Sequence, residues 1–113
     1  MINYRENVSP GRFELRAVDE QAGILAVMIA FQTGTIITLE KISVSSEYRR
    51  QGIGTTLVNS LDAWSKSTGA RTILSPLPVC DADGYRDIRA TRRFFQHAGY
   101  STPFGIFLYK RVK

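Results

Sequence analysis

The sequence has few of the residues that stabilise a fold by covalent or metal cross-links. It contains one cysteine, Cys80, and one histidine, His97, among 113 residues. A single cysteine cannot form an intrachain disulfide, and this cysteine usage is typical of a reducing compartment. A chain of this length buries enough surface to fold without such links. We therefore predict no metal site, and we interpret Cys80 as structural and His97 as a surface residue.

Long apolar segments are also missing. The longest apolar run, residues 24–31, has the length of a strand and falls far short of the roughly 20 residues that a membrane span requires. The first six residues lead into no apolar stretch of the kind found in signal peptides. We expect a cytoplasmic protein that forms one domain over residues 1–113 and has no membrane partner.

The charge balance is basic, with a net charge of +5 and a pI near 9.7. The basic residues fall in clusters at 49–50 and 86–93 and in the tail at 110–113. No aromatic residues alternate with them, as a base-stacking surface would require. The pattern favours a small anionic ligand with several phosphates over nucleic acid. The arginines between 86 and 93 are interpreted mainly as a solvated helix face.

The apolar periodicity predicts an α+β (mixed α/β) fold of order βββ-α-β-α-ββ. Residues 12–18 alternate apolar with polar and predict a half-buried strand, whereas residues 24–31 are apolar throughout and predict a strand covered on both faces. Residues 35–44 are rich in β-branched side chains. Helical spacing follows over 52–68 and 86–98, with a strand starting at Thr72 between them and a hairpin over 100–109.

The most informative segment joins the third strand to the first helix. A polar loop ends on Gly52 and Gly54, where the helix begins, so that backbone N–H groups and the helix dipole point at one spot suited to phosphate. A dinucleotide fingerprint would need glycine at Leu57, and the Gly-Lys-Ser/Thr of a nucleotide-triphosphate loop is absent from the sequence. A tight turn without a ligand is the structural alternative.

Two motifs together resemble the GNAT N-acetyltransferases. The pattern Val44-x-x-x-Tyr48-Arg49-x-x-Gly52-Ile53-Gly54-x-x-Leu57 is similar to the acetyl-CoA signature of that family, and Phe95-x-x-x-Gly99-Tyr100 is similar to its second landmark. The resemblance implies a sheet with antiparallel N-terminal strands and a central parallel pair. It also implies transfer of an acetyl group from acetyl-CoA to a primary amine.

The resemblance further implies which residues bind the cofactor. The diphosphate would lie on the backbone of Gln51, Gly52, Ile53, Gly54 and Thr55, beside the cationic Arg49 and Arg50. Pantetheine would pair with the backbone of Ile42, Ser43 and Val44. The thioester would lie near Phe95.

The catalytic residues are less clearly marked. Glu40 is the one carboxylate within the third predicted strand and, by simple alternation, shares a face with Ile42 and Val44. It is our candidate base or substrate contact, with a rim ion pair as the alternative. Relatives commonly have tyrosine where this chain has Phe95, which cannot protonate a leaving thiolate. The tyrosines at 85, 100 and 109 are open substitutes.

Only about ten residues precede the strand that starts at Arg12, fewer than the helical unit of larger relatives needs. This layout resembles the compact acetyltransferases encoded by phages. It favours an open cleft for an amine acceptor, either a small molecule or a protein lysine or N-terminus, or a pocket completed by a homodimer. A non-catalytic CoA-binding regulatory or protein-interaction module is the alternative function.

Overall fold

The computed structural model describes residues 2–48, 51–76, 88–101 and 107–112. Within these residues six strands form one mixed sheet, in which the spatial order of the strands equals their order in the chain. The strands are β1 (Ile2–Ser9), β2 (Arg12–Asp19), β3 (Gly23–Thr33), β4 (Ile36–Val44), β5 (Thr72–Pro76) and β6 (Phe107–Arg111). The helices are α1 (Ile53–Ser67) and α2 (Ile88–His97), and a 3-10 turn (Ser46–Tyr48) follows β4.

The strand directions confirm the α+β class. Strands β1 to β4 are antiparallel, β4 and β5 form a parallel pair, and β5 and β6 are again antiparallel. Helix α1 makes the crossover between the parallel strands, as such a connection requires.

The predicted order of elements was wrong at its N-terminal end. The structure contains an additional first strand, β1, which pairs along its whole length with β2. Of the predicted hairpin over 100–109, the structure shows β6 and a single bridge between Ser101 and Tyr109, and residues 102–106 lie outside the described part. The described order is therefore ββββ-α-β-α-β.

The hydrophobic core lies on the helix-covered face of the sheet. Strand β2 contributes Phe13, Leu15 and Ala17, which are buried against α1. The Phe13 ring stacks on Trp64 of α1 with 5.1 Å between centroids. Burial of each such large side chain contributes about 1.5–3 kcal/mol, so this face supplies most of the stabilisation of the sheet. The remaining fully buried large residues are Met28, Ile37, Leu39, Ile53, Leu57, Val58, Leu61, Ile73, Phe95 and Leu108.

Among the residues that the structure describes, helices cover strand β3 on one face only, contrary to the expectation from its sequence. Ala26, Met28 and Ala30 are buried, but Ile24 is 58% exposed and Phe31 is 38% exposed. The apolar run was correctly assigned to a strand. The described helices both lie on the opposite side, so the second face of β3 has only partial cover.

Strand β4 contains a β-bulge that changes which of its residues point to the core. Leu39 pairs with Ala30 and Lys41 pairs with Ile29, so Glu40 is the extra residue. Burial accordingly shifts from the odd positions Ile37 and Leu39 to the even position Ile42. Simple alternation does not hold across this point.

The parallel pairing of β4 and β5 is short. Ile36, Ile37 and Thr38 pair with residues 72–74, and the next contact is made by a side chain. The buried Ser75 hydroxyl donates to the Leu39 carbonyl at 2.7 Å. Within the described residues, the ladder between these two strands ends where the bulge of β4 begins, while β5 continues to pair with β6.

Candidate functional site

The start of α1 presents backbone donors that no described side chain satisfies. The first intrahelical bond runs from the Thr56 amide to the Gly52 carbonyl at 3.0 Å, so the amides of Ile53, Gly54 and Thr55 precede the helical ladder. In the described part of the chain no side chain caps this end, and the first turn contains no acidic residue. The positive end of the helix dipole is therefore available to an anion.

Gly52 makes this geometry accessible by its backbone conformation. Its φ of 81° and ψ of 2° lie in the left-handed region, where residues with a Cβ are disfavoured. A Cβ built at this position meets no atom within 4 Å, so the surrounding space is open. Glycine is therefore favoured here by the backbone conformation and not by crowding.

Gly54 has a different structural reason. A Cβ at this position would lie 3.2 Å from Cζ of Phe94 in α2, which is closer than ordinary packing allows. The absence of a side chain lets the ring of Phe94 rest on the first turn of α1. Sequence reasoning assigned Gly54 to ligand approach, with a tight turn as the alternative, and missed this contact between the helices.

The end of β4 lies beside this helix start. Ile42 is buried in the core, while Ser43 and Val44 are half-buried. The Ser45 amide donates to the Leu25 carbonyl at 2.8 Å, which holds the strand end against β3. The 3-10 turn then carries the chain towards Gln51 and Gly52, both of which are exposed. A strand end, a short loop and an uncapped helix start therefore meet beyond the point where β4 and β5 stop pairing.

Residues 12–102 match the family model for the acetyltransferase (GNAT) domain. This chain belongs to the GNAT family. The family comprises N-acetyltransferases that use an acyl-CoA, so this enzyme class applies to the chain. No curated protein matches the sequence significantly.

Solved structures share the GNAT fold. A protein from Desulfovibrio desulfuricans assigned to this family is 16% identical, with full coverage of both chains and a TM-score of 0.79. An aminoglycoside 6'-N-acetyltransferase solved with coenzyme A is 24% identical, with coverage of 93% of this chain and 75% of that one and a TM-score of 0.69. The ribosomal-protein-S18-alanine N-acetyltransferase from Escherichia coli is 18% identical, with coverage of 94% and 72% and a TM-score of 0.71. At these identities the likeness concerns the fold.

The structure places Phe95 of this GNAT domain in the core. Its ring has no exposed surface and packs edge-on against Phe94 and Tyr100, with centroids 5.1 and 5.2 Å apart. The second motif thus joins α2 to the chain that follows it. Contact between Phe95 and a bound cofactor stays a prediction.

Tyr100 is poorly suited to protonate a leaving group. Its side chain is buried, and its hydroxyl has no hydrogen-bond partner within the described residues. Burial raises the pKa of Tyr100, and the negative charge of Asp62 raises this pKa further. Of the other two candidate acids, Tyr109 is half-buried on β6 and Tyr85 lies outside the described residues.

Glu40 is exposed at the bulge of β4. The expectation that it shares a face with Ile42 was wrong, because the extra residue changes the alternation and Ile42 points into the core. The exposed position leaves the carboxylate accessible to an acceptor. A catalytic role for Glu40 stays a prediction.

Several predicted residues lie outside the described ranges. These are Arg49 and Arg50 of the loop, Cys80, Tyr85 and Arg86. Among the described residues, no group of three or more potential metal ligands is found. None of the described helices combines the length and apolar composition that crossing a membrane demands.

A groove of about 280 Å³ lies elsewhere on the domain. It is lined by Glu6 of β1 together with Phe13 and by Ser60, Ala63, Trp64 and Ser67 of α1. These helix residues belong to the C-terminal half of α1, whereas the uncapped amides lie at its N-terminus. The groove is therefore separate from the candidate cofactor site.

Proposed function

We propose that this GNAT domain transfers the acetyl group of acetyl-CoA to a primary amine, in particular an amine on a protein, and that residues 1–113 act as one domain. The observation that carries the proposal is the uncapped start of α1 beside the end of the β4–β5 ladder. The exposed position of Glu40 at the bulge of β4 favours a large acceptor over a small enclosed one.

The cofactor contacts follow from the geometry of the helix start. The amides of residues 51–55 would donate to the diphosphate, and Arg49 and Arg50 would add positive charge beside it. Beyond the last β4–β5 pair, the backbone of Ile42, Ser43 and Val44 would accompany pantetheine towards the bulge. The acyl carbon would then lie between the two strands, near the end of β4.

The reaction requires three things of the protein, namely a donor to the oxyanion, an acceptor for the proton of the amine and a proton source for the leaving sulfur. A neutral amine attacks the thioester carbon, the resulting oxyanion needs a donor, and the C–S bond then breaks to release the CoA thiolate. Glu40 would accept the proton that the amine loses, either directly or through a water molecule. Phe95 cannot return a proton to sulfur. Because a thiolate is a tolerable leaving group, this absence lowers the rate and does not prevent the reaction.

The same absence supports a second candidate function. A GNAT domain with Phe95 at this position and with the Tyr100 hydroxyl buried could bind CoA without turnover and act as a regulatory or protein-interaction module. Release of free thiol from acetyl-CoA over a panel of amines, peptides and folded proteins distinguishes the two. Turnover with at least one amine is expected, whereas CoA binding without turnover for every acceptor would support the module.

The role of Glu40 is tested by replacement with its amide. We expect Glu40→Gln to lower kcat/KM by about 10²–10⁴-fold with CoA affinity unchanged, since a lost general base has effects of this size. Glu20→Gln is the matched control, because Glu20 is an exposed carboxylate in the β2–β3 turn. Equal activity of the two variants would exclude Glu40 as the base.

The diphosphate site is tested by two substitutions of the same size. Asparagine and aspartate both tolerate the left-handed conformation of Gly52, and they differ in charge. We expect Gly52→Asp to bind CoA at least about tenfold more weakly than Gly52→Asn, because about 1.4 kcal/mol of repulsion between an added carboxylate and a phosphate has that effect. Calorimetric titration measures both affinities, and equal values would place the diphosphate elsewhere.

A further inference from the structure

The second face of the sheet is apolar at its centre and lacks a covering helix in the described structure. We call it the open face and define it by Val27, Ile29 and Phe31 of β3, Ile36 of β4 and Leu74 of β5. Strand pairing places Phe31, Thr38, Leu74 and Tyr109 in one row across four strands. Phe31 is 38% exposed and Ile36 is 43% exposed, and the other defining residues are half-buried.

The sequence of β3 is typical of a strand buried on both faces, yet helices cover only one of its faces in the described part of the chain. Strands β1 and β2 are joined by Pro10 and Gly11 alone, so no helix between them can cross the open face. Both described helices pack on the opposite side. A contiguous apolar patch of this kind on a small domain commonly marks an interaction surface.

The border of the open face is cationic. Arg5, Arg12 and Arg16 form one side, and Lys41 lies at the other beside the exposed Glu40 of the bulge. Glu14 lies between two of these arginines, bonded to Arg16 at 2.8 Å and to Arg12 at 3.3 Å. Its single negative charge is therefore already shared by two guanidinium groups, and the border keeps a positive excess.

The positive charge of the border indicates which kind of partner the open face binds. A second copy of this chain would bring the same arginines towards one another, and such like-charge contact opposes association. An apolar strip flanked by carboxylates would fill the centre and pair with the border. We propose that the open face binds an acidic amphipathic segment of a partner protein. This interaction is independent of the proposed acetyl transfer and requires no CoA.

The proposal is tested with two labelled helical peptides and the full chain. Both peptides carry leucines at i, i+3, i+4 and i+7, with glutamate at the remaining positions of one and lysine in the other. Fluorescence anisotropy is expected to show saturable binding of the glutamate peptide, with the lysine peptide at least about tenfold weaker. Equal binding of both peptides, or no binding of either, would overturn the proposal.

Substitutions locate the binding surface. Phe31→Ser is expected to weaken binding of the glutamate peptide at least about tenfold, because the phenylalanine side chain would no longer be buried against the peptide. Val8→Ser is the control, since Val8 is 50% exposed on the other face of β1 and should leave binding unchanged. Arg5→Glu should weaken binding, whereas Lys66→Glu, on the exposed side of α1, should not.

Circular dichroism of each variant checks the fold. Arg5→Glu should not disturb the sheet, because the new carboxylate would lie opposite Arg16 of β2. Sedimentation analysis tests the other possible occupant, a second copy of this chain. A dimer that Phe31→Ser dissociates, without peptide binding by the unaltered chain, would assign the open face to a second copy and overturn the proposal.

Discussion

The two glycines of the loop motif in this GNAT domain are needed for structural reasons that the motif alone does not suggest. Gly52 and Gly54 stand two positions apart in the same loop motif. Gly52 adopts a left-handed backbone in open space, while Gly54 leaves room for the ring of Phe94. The first glycine shapes the uncapped start of α1, and the second one lets α1 and α2 come into contact.

The buried hydroxyl of Tyr100 provides a test of stability at one atom. Because this hydroxyl has no hydrogen-bond partner within the described residues, its burial is unfavourable. We expect Tyr100→Phe to raise the free energy of unfolding by about 1 kcal/mol, measured by urea denaturation at pH 7. Acetyl transfer should be unchanged, since this hydroxyl is inaccessible to a leaving group.

Tyr4→Phe is the matched control for Tyr100→Phe. Tyr4 is 39% exposed, so its hydroxyl loses much less hydration on folding than the buried hydroxyl of Tyr100 does. Its effect should stay within about 0.5 kcal/mol. Destabilisation by Tyr100→Phe would show that the hydroxyl is bonded in solution.

At the scale of elements, the packing of α1 on α2 depends on the close approach of Gly54 to Phe94. Alanine is favoured over glycine in a helix by up to about 1 kcal/mol, but its Cβ would press on the Phe94 ring. We expect Gly54→Ala to have little net effect in the unaltered chain and to stabilise the Phe94→Leu variant. A double-mutant cycle by chemical denaturation should give a coupling energy of about 0.5–1 kcal/mol.

Additive effects of the two substitutions would contradict this account of Gly54. The helix start would then tolerate a side chain, and ligand approach would be the remaining reason for glycine at this position.

The elements that sequence reasoning found have a clear local signal. Strand β2 and both helices were identified from apolar residues at the spacing of a strand or a helix, β3 from its unbroken apolar run and β4 from its β-branched side chains. Strand β1 was missed because all but its first residue are exposed. Its backbone pairing with β2, and not the burial of its side chains, holds it in place. The alternation of Ile2, Tyr4 and Val8 was the signal that could have revealed it.

The two halves of the candidate site, the start of α1 and Glu40, were not equally predictable from the sequence. The helix start follows from local sequence, since glycine, loop length and helical periodicity define it. The position of Glu40 does not, because a bulge depends on how β3 and β4 pair and leaves no mark on β4 alone. The open face was likewise hidden, since an apolar strand does not disclose which elements cover it.

At the scale of the whole molecule, the sheet should lose stability in acid through Glu14. Hydrogen bonding by Arg16 lowers the pKa of Glu14 below its ordinary value, partial burial opposes this effect, and Arg12 lowers the pKa further. A lowered native pKa stabilises the fold above the unfolded value of about 4.5, and this contribution is lost as the pH falls through the native pKa.

We therefore expect the free energy of unfolding to fall below about pH 4.5 in the unaltered chain and to fall less steeply in Glu14→Gln. Urea denaturation between pH 3 and pH 7 measures both slopes, with Glu20→Gln as an exposed control. Identical slopes for the unaltered chain and Glu14→Gln would show that the arginine pair does not perturb this carboxyl.

The central claim is that the amides at the start of α1 bind the diphosphate of CoA. The most direct measurement is a ¹⁵N–¹H NMR titration of the labelled protein with CoA and, in parallel, with pantetheine, which lacks the diphosphate. We predict saturable shifts of the Ile53, Gly54 and Thr55 amide signals with CoA and none of comparable size with pantetheine. A folded protein in which CoA leaves these three signals unmoved would contradict the account.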